Sequence, residues 1–183
     1  MASKATVVKA QLQISDMNRH YYQTHALTIA QHPSETEERM MVRVVAFALH
    51  ASESLTFTRG LSSEDEADLW DKDLTDHITT WIDLGQPEEK RIRKACGRAD
   101  KVYIYTYQPR NSGPWWSKHE ESLKRFDKLS VVTLETRSET ALADLCERNM
   151  TLLCSIQDNA IYLSTDSKEV ELAITFLKDS SAA

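Results

Sequence analysis

The side chains in this sequence that could do chemistry are concentrated between Asp65 and Lys101. The segment opens with three carboxylates, Asp65, Glu66 and Asp68, and passes through a strand-like run, Ile78 to Leu84, that carries Asp83 near its end. It then enters a helix-like stretch bearing Lys90, Arg91, Arg93, Lys94, Arg98 and Lys101. Magnesium takes hard oxygen ligands, usually one or two carboxylates with waters and substrate phosphates completing the shell. A lysine close to such an ion can orient an attacking water or offset the negative charge that develops at phosphorus. Arg91, Lys94, Arg98 and Lys101 recur at helical spacing and predict one basic stripe, opposite or flanking the apolar face. The bland alternative is a solvated surface, since acidic turns and basic helix faces are common where nothing binds. Glu38 is a further candidate. At helical spacing it shares a face with Met41 and Val45, where an acid needs a partner or a metal. A boundary glutamate paired with Arg39, Arg43 or a neighbouring strand meets that need as well.

Other chemistries find less support. The six histidines, His20, His25, His32, His50, His77 and His119, form neither HxxxH nor HxH, which disfavours zinc. Cys96, Cys146 and Cys154 are odd in number, far apart and without a CxxC, so neither a disulfide framework nor a cysteine zinc site is expected. There is no GxGxxG, Walker A or GxSxG pattern, and no small organic cofactor is expected. Trp115 and Trp116, with Lys118 and His119, could stack on exposed bases. Adjacent helical aromatics more often pack at least one ring on the core. Tyr103, Tyr105 and Tyr107 alternate as a packed sheet face would.

The elements that must position these residues follow from pattern and composition. The chain has 183 residues, 41% hydrophobic and 27% charged, with 4 Gly and 4 Pro, which suits one continuous domain over 1–183 and argues against disorder. With 22 Lys+Arg against 28 Asp+Glu, the net charge of −6 excludes a dedicated duplex-DNA binder that works by bulk charge. A nucleic-acid partner would need a local patch or metal ions. No apolar leader and no run near ~18 apolar residues is seen, so a cytoplasmic protein without a membrane partner is expected.

Thr6 to Ile14 alternates with period two and predicts a strand, paired through the turn Ser15–Asn18 with a second strand over Tyr21–Ile29. Ser34 and Glu37 predict a capping box opening a helix that runs to His50. Short strands are expected at Leu55–Arg59 and Ile78–Leu84, then a helix from Pro87 to about Asp100 and a strand at Lys101–Tyr107. A helix over Gly113–Phe126, a strand at Leu129–Leu134 and a helix over Glu139–Met150 precede three tail strands, ending at Gln157, Ser164 and Leu177. This order predicts an α/β fold, a mixed β-sheet with flanking helices.

The blocks HPSETEERMMVRVVAFAL, FTRGLSSEDEADLW, WIDLGQPEEKRIRKACGRADKVYIYTY and MTLLCSIQDNAIYLS resemble the YaeQ proteins of proteobacteria over essentially the whole chain. The resemblance implies a restriction-endonuclease-like, PD-(D/E)XK core with extra β-hairpins. It implies a magnesium site in which Asp68 and Asp83 hold the metal and Glu38 (or Glu35) supplies the helix acid. Ala67 stands where the motif has proline, and Gly85 where it has lysine. Lys94 is the candidate for a migrated lysine, and Gln86 for a residue lining the pocket. Two functions follow from the resemblance: a magnesium-dependent nuclease or phosphodiesterase acting on nucleic acid, or a non-catalytic nucleic-acid-binding, transcription-related module that keeps the fold.

Overall fold

The computed structural model describes residues 4–59, 61 and 63–180. The chain divides into two compact units, Met1–Ala51 with Thr136–Ile174, and Ser52–Glu135 with Thr175–Ala183. The fold is mixed α/β, with three α-helices and ten strands among the described residues. Among the same residues no helix is long and apolar enough to cross a membrane.

In the first unit the strands lie in the order β2-β1-β8-β9-β10. Strands β1 (Thr6–Asp16) and β2 (Tyr21–Gln31) form an eleven-pair antiparallel hairpin. β1 also runs parallel to β8 (Asn149–Gln157), which continues antiparallel into β9 (Ala160–Ser164) and β10 (Glu169–Lys178). The period-two pattern explains β1, where Val8, Ala10, Leu12 and Ile14 are buried while Lys9, Gln11 and Gln13 are exposed. Helix α1 (Glu37–His50) buries every side chain from Met40 to Ala48. Its far end is closed by the hairpin turn. Arg19 donates from Nη1 and Nη2 to the carbonyls of Ala51 and Ala48 at 3.1 and 3.2 Å, and from Nε to the buried Asp16 at 2.8 Å. A basic side chain on the last carbonyls of a helix both satisfies orphan acceptors and suits the helix dipole.

In the second unit the order is β7-β6-β5-β4-β3. Strands β5 (Ile78–Leu84), β6 (Ala99–Thr106) and β7 (Leu129–Thr136) are parallel, while β3 (Leu55–Phe57) and β4 (Leu69–Lys72) extend the sheet antiparallel beyond β5. Helices α2 (Glu89–Arg98) and α3 (Pro109–Leu123) provide the crossovers that parallel pairing requires. The core gathers Trp81, Ile92, Ala95, Val102, Ile104 and Leu123. β5 stops at Gly85, whose φ of +86° is readily reached only without a Cβ.

Three local expectations change. The N-cap of α1 is Thr36, whose hydroxyl accepts from the Arg39 amide at 3.1 Å, not Ser34, because Glu35 turns inward to two arginines. α3 begins at Pro109, where the fixed φ of proline suits a first helical turn, rather than at Gly113. The expected helix over Glu139–Met150 shrinks to a 3-10 turn at Leu142–Leu145, since Asn149 and Met150 join the parallel ladder with β1.

Candidate functional site

Register brings the two key aspartates of the second unit together. In the antiparallel β4–β5 pair, Leu69 lies opposite Ile82, which sets Asp68 across from Asp83. Both are buried, at 4% and 1% exposure. Each carboxylate takes an amide from the other strand's end. The Asp68 N–H donates to Asp83 Oδ1 at 3.2 Å, and the Leu84 N–H to Asp68 Oδ2 at 2.9 Å.

The cation on this pair is Arg91. Its Nε donates to Asp83 Oδ2 at 2.8 Å and its Nη2 to Asp83 Oδ1 at 3.0 Å, a two-point grip. Trp81, two residues before Asp83 and so on the same face of the strand, donates from Nε1 to Oδ2 at 2.9 Å. Asp83 thus accepts from four donors, which matches the roughly four lone-pair sites of a carboxylate. Arg91 also holds the acidic loop, donating to the carbonyls of Glu64 at 3.1 Å and Glu66 at 2.8 Å. Burial pushes the Asp83 carboxyl above the ordinary range. Arg91 and Trp81 pull against that, and the neighbouring Asp68 adds to it.

This arrangement does not fit a magnesium ion, because a guanidinium occupies the side of Asp83 that a metal would need and its acceptor sites are full. Lys94 lies on the exposed side of α2, with its ammonium 2.5 Å from Asp65 Oδ1, which holds the Asp65 carboxyl below its ordinary range. Arg98 donates to the Asp65 carbonyl at 2.6 Å and stands over the Trp81 ring at 5.1 Å. Gln86 is exposed just after Gly85. Glu38 is half-buried in the first turn of α1 and belongs to the first unit. Its neighbour Glu35 is buried and accepts from Arg43 at 2.5 Å and Arg39 at 2.7 Å.

The residue whose role sequence reasoning missed is Arg91, which it set on one basic stripe with Lys94, opposite or flanking the apolar face, and gave no part at Asp83. The signal was available. Arg91 stands one turn before the buried Ala95, so it flanks the apolar face and not the solvent face. Trp115 and Trp116 are both half-buried against the core, with Trp115 Nε1 donating to the Pro87 carbonyl at 3.2 Å.

The sequence profile of the YaeQ protein family matches residues 1–174. This chain belongs to the YaeQ family. It is 44% identical to a YaeQ protein of Salmonella typhi over 177 residues, covering 96% of this chain and 97% of the relative. It is 41% identical to one of Escherichia coli K12 over the same shares. The crystal structure of a YaeQ protein from Xanthomonas axonopodis pv. citri superposes with a TM-score of 0.91 at 46% identity, covering 95% of this chain and 98% of that one. The Pseudomonas syringae YaeQ structure gives 0.88 at 30% identity, over 96% and 97%.

Proposed function

We propose that this YaeQ protein is a cytoplasmic nucleic-acid-binding module on a nuclease-related PD-(D/E)XK core, one that has given up metal-dependent hydrolysis. One observation carries the reading: the two faces of α2. The inner face sends Arg91 to the buried Asp83, which uses up the carboxylate a catalytic magnesium would need. The outer face turns Lys90 and Arg93 to solvent, with Lys94 beside them paired to Asp65 and exposed Lys101 following in β6. A local row of cations can neutralise phosphates in a protein whose total charge is negative, because screening confines each interaction to about 10 Å.

Fluorescence anisotropy with a labelled DNA duplex and a labelled RNA strand tests the proposal. Binding should weaken with salt, and replacing Lys90, Arg93 and Lys101 by alanine should flatten the log–log salt slope by about 0.9 for each duplex phosphate that is no longer neutralised. Absence of binding to either probe at low salt overturns the reading. So does Mg²⁺- or Mn²⁺-dependent cleavage that is abolished by Asp83→Asn, which would restore the nuclease.

A further inference from the structure

Strand β2 lies at the edge of its sheet, with β1 as its neighbour and no strand beyond it among the described residues. Its eleven residues, YYQTHALTIAQ, include no Lys, Arg, Asp, Glu, Pro or Gly, and they pair with β1 through eleven positions without a bulge. Charge, proline, bulges and shortness are the usual devices that keep an open edge from pairing with another chain. β3, the edge strand of the second unit, has only three residues. β2 uses none of these devices. The direction of its backbone groups follows from the ladder. The Lys9 N–H donates to the Arg148 carbonyl at 2.8 Å, on the β8 side, so Lys9 and its partner Thr28 do not bond each other. Thr28 therefore turns its N–H and C=O away from β1. Alternation gives the same direction to Tyr22, Thr24, Ala26 and Ala30, and Arg43 reaches the outward Ala30 carbonyl at 2.9 Å.

The same residues point to what pairs there. Tyr22, Thr24, Ala26, Thr28 and Ala30 set their side chains on the exposed face of the sheet, while Leu27 and Ile29 are buried on the other. Tyr22 is 56% exposed, and so is Val7, the β1 partner of Ala30. When a second β2 runs antiparallel with the two Ala26 residues opposite each other, Thr24 meets Thr28 of the second copy and Tyr22 meets its Ala30. That register opposes no like charges, pairs threonine with threonine, and puts a small side chain at the axis. It also lays the Tyr22 ring across Ala30 of the second copy towards the exposed Val7 of that copy. Both exposed apolar side chains are covered, twice by symmetry, and the contact is self-complementary as a two-fold interface must be. We propose that this protein forms a two-fold dimer through β2. Thr24, Ala26 and Thr28 donate their N–H groups to the carbonyls of Thr28, Ala26 and Thr24 of the second copy, and Tyr22 closes on its Val7. The proposal is independent of the nucleic-acid reading of α2.

Sedimentation velocity on the full chain tests it. A contact of one strand pair and two rings lies at the small end of specific interfaces, so the wild type should pass reversibly from monomer to dimer between about 1 and 500 µM. Tyr22→Ser should weaken the dimer about tenfold, because two ring contacts are lost together. Thr24→Lys/Thr28→Lys should stay monomeric over that range, and so should Thr24→Glu/Thr28→Glu, since each sets like charges directly opposite one another. Circular dichroism checks that both variants are folded. Mixing them should restore a dimer with one copy of each, which loss of fold could not produce. In the wild type, amide exchange followed by NMR should slow at Thr24, Ala26 and Thr28 as concentration rises. Gln23 and His25, whose amides already face β1, should not change. A wild type that is monomeric at every concentration overturns the proposal. A dimer retained by the lysine variant uses another surface and overturns it as well. If the folded lysine and glutamate variants stay monomeric when mixed, the register centred on Ala26 is wrong and the proposal falls.

Discussion

Glu35 in the first unit and Asp83 in the second are buried acids gripped by arginine, and the two pairs are built differently. In the first, Glu35 takes Arg39 and Arg43, four and eight residues on, so one helix supplies both cations. In the second, Asp83 takes Arg91 from the following helix, the Trp81 indole from its own strand, and the Asp68 amide from the neighbouring strand. Glu35 and Arg43 are each 1% exposed in their side chains, whereas Arg91 is 27% exposed over an Asp83 at 1%. A local pair forms whenever its helix forms. The other exists only when a strand, a loop and a helix have all docked, and its cation keeps access to water. Both acids are ones that the PD-(D/E)XK resemblance would offer to a metal, and both are neutralised by guanidinium.

The largest expected effect comes from removing a cation and leaving its acid buried. Arg43→Met should cost about 3–5 kcal/mol and Arg91→Met somewhat less, because water can reach the Asp83 side through the half-open arginine. Urea unfolding followed by circular dichroism measures both. A larger loss for Arg91→Met than for Arg43→Met would reverse the ranking and make the multi-element pair the tighter one.

The next effect is in pH dependence. Since burial raises the Asp83 pKa, the folded protein holds this proton more tightly than the unfolded chain. The resulting contribution is greatest below the ordinary value of 3.8 and declines as pH rises from there through the folded-state value. Loss of Arg91 removes the main opposing influence and extends that window upward. Arg91→Met should therefore lose less stability at about pH 5 than at about pH 8. Melting temperatures at the two pH values decide it, and an equal loss at both would mean that Asp83 stays charged without its arginine.

The smallest effect belongs to an exposed pair that serves as a contrast. His77 Nε2 lies 2.8 Å from Asp100 Oδ1, linking the start of β5 to the start of β6, with both side chains about half open to water. The Asp100 hydrogen bond and charge raise the histidine pKa above 6.5. Its contribution is present in full below 6.5 and is lost as pH rises through the folded value. NMR titration should find His77 above the ordinary range and Asp100→Asn should return it there, with little change in melting temperature. A stability loss comparable to that of the buried pairs would break the distinction drawn between them.

Much of the fold was legible in the residues. β1, β2 and β5 follow from alternation and apolar runs, and Gly85 ends β5 where a positive φ is needed. The helix over Glu139–Met150 was not legible, because whether Asn149 and Met150 coil or extend depends on β1, well over a hundred residues away. For the site, the acids stood out by type alone, but their partners did not. Arg91 and Lys94 read alike on a basic helix, and only docking of α2 on β5 sends one to Asp83 and the other to Asp65.

By itself the sequence determined the family, the mixed α/β class and the presence of two well-placed aspartates, since these rest on composition, short-range periodicity and residue identity. Tertiary structure alone decided what the aspartates do. Register across β4 and β5 set them face to face, and burial made an unpartnered charge untenable. The helix packed on that strand then supplied the arginine that grips Asp83. A carboxylate has the same chemistry in every sequence; which cation it meets is a property of the neighbours that the fold assembles.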